Sequence, residues 1–133
     1  GVELADLDTV LEKCDIVTIH VPALPETVRM FGKDQFRKMK NSAILINIAR
    51  GSVVDEGALY EALVNGEIAG AGLDVFEEEP TNEDNPLFSL KHVVATPHSG
   101  AETYETYDAI SMFGAQVITD VLEGRSPKNW VNP

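Results

Sequence analysis

Helices and strands alternate along this sequence, which predicts an α/β fold built on a mostly parallel sheet with right-handed crossovers. Three observations carry the prediction. Four short apolar segments, 15–20, 43–48, 68–75 and 92–96, read as strands, the first two dense in β-branched residues. Segments with apolar residues at helical spacing flank or separate them. The 133 residues make one domain of ordinary size, and 44% hydrophobic with 24% charged residues is the composition of a folded, soluble chain.

Each element has its own signal. Leu4, Leu7, Val10, Leu11 and Cys14 recur at helical spacing, with Asp6 or Asp8 near the start. Asp15-Ile16-Val17-Thr18-Ile19-His20 follows as a buried strand, ended by Pro22 and Pro25. Residues 33–39 hold one or two helical turns, and Ala43 to Ile48 is a second buried strand. Asp55 is an N-cap for a helix carrying Leu59, Tyr60, Leu63 and Val64, with Gly66 as its stop. In the third strand, Gly70 and Gly72 allow close approach of backbone or ligand. Residues 76–91 form a long acidic connection, a length that marks a loop as functional. After the fourth strand a long helix runs from Ala101 to about Glu123, its apolar stripe made by Ile110, Phe113, Val117, Ile118 and Val121, and Gly124 ends it.

Charge narrows the partners. Ten basic against 22 acidic residues leave a net charge of −12, with no Lys/Arg cluster to offset it. Nucleic acid and anionic membrane surfaces both repel such a chain. The longest apolar run, Ala43 to Ala49, is too short to span a bilayer and is interrupted by Asn47. No signal peptide or glycosylation sequon is present. The lone cysteine, Cys14, builds no disulfide or Cys-rich zinc site, reads as a small buried side chain, and points to a reducing, cytoplasmic setting. The first residue is Gly1, as expected of a fragment or processed product.

In an open α/β sheet, ligands bind outside the carboxyl ends of the strands. The four predicted ends carry His20-Val21-Pro22, Ala49-Arg50-Gly51, Asp74 and Pro97-His98. Arg50 and His98 are the natural pair to meet a small polar ligand. Gly51 lets the chain turn sharply beside Arg50. Pro97 biases Thr96 to an extended backbone, so His98 projects on a stiff stem. Phosphate-cradling motifs are missing: Gly70-Ala71-Gly72 lacks the third glycine of a dinucleotide fingerprint. His-Glu-x-x-His and Gly-x-Ser-x-Gly are absent too, and no metal site is expected.

Three long motifs stand in order: Asn47-Ile48-Ala49-Arg50-Gly51-Ser52-Val53-Val54-Asp55-Glu56, then Gly72-Leu73-Asp74-Val75-Phe76 leading to Glu79-Pro80, then Thr96-Pro97-His98-Ser99-Gly100. Together with His20-Val21-Pro22, Pro25 and Thr27, they closely resemble the D-isomer-specific 2-hydroxyacid dehydrogenases over essentially the whole chain. The resemblance implies the second half of a doubly wound, Rossmann-like dinucleotide-binding domain plus a long return helix. Residues 1–100 would be a partial NAD-binding domain, and 101–133 the helix and tail leading to a substrate domain. The glycine-rich turn and the acidic ribose-binding residue would lie upstream of Gly1, leaving a sheet with an open edge and weak or no NAD(H) binding by these residues alone.

The resemblance also assigns roles. Arg50, Glu79 and His98 match the family's catalytic set. Val21, Pro22, Thr27, Ile48, Ala49, Arg50, Asp74, His98 and Gly100 would line or touch NAD. The chemistry agrees: an arginine fork binds carboxylate and polarises a carbonyl, histidine exchanges a proton near neutral pH, and a buried Glu79 would orient the imidazole and favour its charged form. Against these stand plainer readings. Glu77, Glu78 and Glu79 form a run of the kind usually solvated. Asp74 is either near the nicotinamide amide or a strand-end turn residue. Asp55 and Glu56 read as helix-start residues, and His20 shapes the cofactor loop. Tyr104 and Tyr107 either line the cleft or pack. Trp130 and residues 127–129 would pack on the substrate domain. The implied partners are a small 2-hydroxy or 2-oxo acid and a second copy in a homodimer. The alternative is an NADH-binding regulatory protein, corepressor-like, on the same scaffold.

Overall fold

The structure, a computed structural model, describes residues 1–129 and divides into two units, Gly1–Ser99 and one beginning at Gly100. In the first unit α1 (Leu7–Lys13), β1 (Ile16–Ile19), α2 (Lys33–Lys38), β2 (Ile44–Asn47), α3 (Glu56–Val64), β3 (Gly70–Leu73) and β4 (Val93–Ala95) follow one another. Single 3₁₀ turns at Gly51–Val53 and Pro86–Ser89 stand within the connections.

Local chemistry sets the boundaries. The Asp6 carboxylate accepts from the Thr9 N–H at 2.7 Å and starts α1 three residues later than the apolar spacing from Leu4 suggests; Leu4 itself is 95% exposed. Asp55 accepts from the Ala58 N–H at 2.9 Å and caps α3, which stops at Gly66 in the left-handed region (φ 70°). β3 is shorter than the predicted segment: Ile68 is buried core ahead of it, and Val75 already belongs to the connection that follows.

The four strands are all parallel and stand in sequence order, β1-β2-β3-β4. Val17, Leu45, Ala71 and Val93 align across the sheet, and so do Ile19, Asn47, Leu73 and Ala95. In β1, β2 and β3 these rows are buried in the core, whereas Val93 is half-buried and Ala95 exposed. Because every right-handed crossover steps the same way, α1, α2 and α3 lie side by side on one face. Leu11, Phe36, Leu45, Leu59, Ile68 and Leu87 are fully buried there, each contributing about 1.5–3 kcal/mol by the usual transfer scale. Leu87 comes from the 3₁₀ turn that replaces a helix between β3 and β4.

The one-way winding corrects the expectation that the first two strands are buried: only one face of each is. Ile16 is 58% and Ile44 40% exposed, while their neighbours Val17 and Leu45 are buried. A continuous apolar run says nothing about which face is covered. β1 and β4 each pair on one side only among the described residues. Gly70 has a steric role: a Cβ there would lie 2.8 Å from the His92 carbonyl oxygen, so glycine lets the chain close in beside β4. Cys14 is half-buried at the end of α1, more open than predicted.

In the second unit α4 (Tyr104–Leu122) is capped by the Thr103 hydroxyl, which accepts from the Thr106 N–H at 3.1 Å. None of its residues is buried, and Tyr107, Ile110, Phe113, Ile118 and Val121 are all more than half exposed. Gly124 (φ 72°) ends it. Trp130 lies outside the described residues. No described helix is long and apolar enough to cross a membrane.

Candidate active site

The strand ends carry two cavities. The first, about 490 Å³, lies beyond β1 and β2 and is lined by His20, Val21, Pro22, Ile48, Ala49 and Arg50 among others. Its shape depends on Asn47, a polar side chain only 1% exposed on the inward row of the sheet. The Asn47 Oδ1 accepts from the Ala49 N–H at 3.1 Å, and its Nδ2 donates to the Arg50 carbonyl at 3.0 Å. Both bonds fold the backbone back on the strand end and present Arg50. The guanidinium donates to the Ala49 carbonyl at 2.6 Å and is otherwise exposed.

Thr27 plays a different part from the rest of the predicted cofactor set. Its hydroxyl donates to the Pro22 carbonyl at 2.6 Å and accepts from the Leu24 N–H at 2.8 Å. It ties the loop that carries Val21 and Pro22 and is not among the residues lining the cavity. The His20 Nε2 lies 3.0 Å from the Thr18 hydroxyl.

The second cavity, about 540 Å³, lies beyond β3 and β4, with Asp74, Phe76, Glu79, Phe88, Thr96 and His98 in its walls. Asp74, 6% exposed, accepts from the Thr96 hydroxyl at 2.5 Å and from the Ser99 N–H at 2.8 Å. It therefore grips the chain on both sides of His98. Between these grips the His98 N–H donates to the Thr96 carbonyl at 3.1 Å, closing a three-residue turn about Pro97. His98 sits at φ 53°, a left-handed conformation costing a non-glycine residue about 1–2 kcal/mol. Strain of this kind is kept where a side chain must be aimed. The His98 Nδ1 lies 2.7 Å from the Glu79 Oε2, and the Glu79 Oε1 accepts from the Phe76 N–H at 3.0 Å. The Glu79–Pro80 peptide is cis.

Glu79 is not buried as the sequence reading expected. Its side chain is 37% exposed and that of His98 50%. The connection leaves the core after the buried Phe76, and Glu77, Glu78 and Glu79 are all exposed. The hydrogen bond to His98 and then the Phe76 N–H hold the Glu79 carboxyl below its ordinary 4.5, helped by the charges of His98 and Arg50 and opposed by partial desolvation. A carboxyl lowered on folding stabilises the fold above its unfolded value and loses that contribution as pH falls through the folded one. Glu79 is therefore expected to stay ionised, and paired with His98, below pH 4.5 and to release the ring only on further acidification. Carboxyl ¹³C NMR titration checks this; a Glu79 midpoint at or above 4.5 would contradict it.

Arg50 and His98, paired in the sequence reading, line neighbouring cavities along the same carboxyl edge. Gly100 begins the second unit. Two residues that the sequence reading gave no part in the site contribute to it. Asn47 had a visible signal, an amide inside a β-branched run. Glu56 had none beyond its place at a helix start: its carboxylate accepts from the Glu77 N–H at 2.5 Å and from the Asn85 side chain at 2.8 Å. Gly51 acts through space and not through a turn, since a Cβ would fall 1.8 Å from the Phe76 carbonyl oxygen. Among the described residues no group of three or more His, Cys, Asp or Glu is placed to hold a metal.

Residues 1–100 match the family model described as D-isomer specific 2-hydroxyacid dehydrogenase, NAD binding domain. The chain is 48% identical over 132 residues to D-3-phosphoglycerate dehydrogenase of Archaeoglobus fulgidus, covering 99% of this chain and 25% of that protein. It is 52% identical over 128 residues to glyoxylate/hydroxypyruvate reductase B of Escherichia coli, covering 96% of this chain and 40% of the relative. Among solved structures, D-lactate dehydrogenase with NAD+ from Lactobacillus jensenii superposes with a TM-score of 0.90 at 37% identity, covering 97% of this chain and 43% of that one. The chain thus spans between a quarter and somewhat under half of the proteins it matches.

Proposed function

The chain belongs to the D-isomer-specific 2-hydroxyacid dehydrogenase family, and from that premise we propose that it is part of an NAD(H)-dependent oxidoreductase interconverting a D-2-hydroxy acid and its 2-oxo acid. The observation that carries this reading is the His98–Glu79 pair at 2.7 Å, aimed from the same sheet edge that presents Arg50.

The first cavity suits the face of a flat ring: its walls are Val21, Pro22, Ile48 and Ala49, with Arg50 at the rim. These residues would hold the nicotinamide end of NAD(H), with the grip of Asp74 on the His98 turn beside it. The dinucleotide, when bound, supplies or accepts the hydride, and the protein provides position and charge. Arg50 offers a planar donor fork to the substrate carboxylate and the carbonyl beside it, whose oxygen gains negative charge during reduction. With Nδ1 donating to Glu79, the imidazole keeps Nε2 for the substrate and gives the new hydroxyl its proton, or takes it back in oxidation. Glu79 stabilises the charged ring and holds one tautomer when it is neutral. The reading extends to a homodimer in the cytoplasm, a setting that the single unpaired Cys14 suits.

NADH oxidation by the full-length protein against a panel of 2-oxo acids tests the reading, with Arg50→Ala as control. Removing one group that stabilises developing charge is expected to lower kcat/KM about 10²–10³-fold while NADH affinity stays within a few fold. Undiminished turnover in the variant would remove Arg50 from its role. Tight NADH binding without turnover on any acid would favour the regulatory alternative.

A further inference from the structure

We propose that Glu56 is a positioning residue for the Glu79–His98 pair, fastening both ends of the connection from which Glu79 projects. The claim rests on the proposed function for its catalytic meaning; the geometry stands apart from it.

Glu56 is the first residue of α3, a rigid element whose Asp55 cap and buried Ala58, Leu59, Ala62 and Leu63 fix it to the core. Its carboxylate spends both oxygens on one segment. Oε1 accepts from the Glu77 N–H at 2.5 Å, and Oε2 accepts from the Asn85 Nδ2 at 2.8 Å. Asn85 in turn caps the 3₁₀ turn Pro86–Ser89, its Oδ1 accepting from the Leu87 N–H at 3.0 Å, and Leu87 is fully buried. One side chain thus holds the departure of the connection at residue 77 and its return at residue 85. Glu79 lies between, two residues from the first anchor. Its own backbone contact, with the Phe76 N–H, is adjacent to that anchor.

A helix-start carboxylate would ordinarily be explained by the helix dipole alone. That account does not explain two contacts 21 and 29 residues away in sequence. Arg29 reaches Glu77 at 3.4 Å and Asp55 at 3.7 Å, and adds a third tie to the same strap. Without Glu56, the Glu77 N–H and the Asn85 amide lose their acceptor, and the Glu79 carboxylate loses the frame that keeps it 2.7 Å from the ring.

Charge and position act on Glu79 in opposite directions, which makes the test decisive. The groups acting on Glu79 are His98, the Phe76 N–H and Arg50. Deleting a nearby negative charge lowers a carboxyl's midpoint; losing the His98 contact raises it. Carboxyl ¹³C titration of Glu79 in the full-length protein is expected to show the midpoint rising toward 4.5 in Glu56→Ala. Glu56→Gln carries the same charge change but keeps a carbonyl for the Glu77 N–H, so its rise is expected to be smaller. If the alanine variant does not fold, the rise in Glu56→Gln alone supports the proposal. A midpoint unchanged or lowered in either folded variant overturns it. In the full-length protein kcat is expected to fall about 10–100-fold in Glu56→Ala, with NADH affinity preserved. If the full-length protein turns over no 2-oxo acid while Glu79 still shifts in Glu56→Ala, the dehydrogenase reading fails and the positioning role stands.

Discussion

Replacing His98 with alanine in the full-length protein is expected to lower turnover of 2-oxo acids by about 10²–10⁴-fold, the range that a positioned proton donor contributes. The loss should fall on kcat, because the ring acts on the reacting oxygen and not on the dinucleotide. Alanine changes two things at once, chemistry and the left-handed backbone at φ 53°. Asparagine separates them. It tolerates that conformation better than most residues, and its amide still reaches a carboxylate, but it does not titrate near neutral pH. His98→Asn should therefore keep the turn between Thr96 and Ser99 and still lose activity. Turnover near wild type in His98→Asn would take the proton-transfer role away from this residue, and a stopped-flow comparison of both variants with one 2-oxo acid would show it.

Gly51→Ala should be the most damaging conservative change in the first unit. A Cβ there would stand 1.8 Å from the Phe76 carbonyl oxygen and 2.5 Å from the Glu77 nitrogen, both backbone atoms that no rotamer change can move. Overpacking of a well-packed site costs about 1–3 kcal/mol, and this contact belongs at about 3. The displaced residues are the ones that anchor Glu79 and bond Glu56, so activity should fall along with stability. Gly70→Ala, whose Cβ would meet the His92 carbonyl oxygen at 2.8 Å, should cost less. Urea unfolding of the two variants measures the order. A Gly51→Ala chain within about 0.5 kcal/mol of wild type would mean that the 76–77 backbone yields freely.

The sequence is most legible where the determinants are local. Asp55 and Gly66 mark α3, and Gly124 the end of α4, because caps and left-handed glycines act within one turn. The first two strands are legible for the same reason, as short β-branched runs. What the runs conceal is exposure. Ile16 and Val17 look alike in sequence, and only the direction of every crossover decides that one faces the helices and the other does not. The site divides likewise. Arg50, Glu79 and His98 are recognisable from their motifs, and each follows a strand end. The supports are tertiary. Asp74 reveals itself as a clamp on the His98 turn only when Ser99, 25 residues on, comes back to it. Glu56 serves a loop whose path is invisible in the residues around it.

The strand order has a kinetic consequence. Each strand pairs with the one made just before it, over separations of about 25 residues. Among the described residues no pairing waits for a distant segment, so the entropic toll of loop closure is similar at every step, and the topology favours stepwise assembly. A ribosome delivering this chain releases β1, then its partner β2, then β3, in the order in which they are used. The sheet can grow vectorially as it emerges, each new strand finding its template already in place. The edge built last, β4, is the one that sets His98 beside Glu79, so the candidate proton-transfer pair assembles only when the rest of the sheet is ready to hold it.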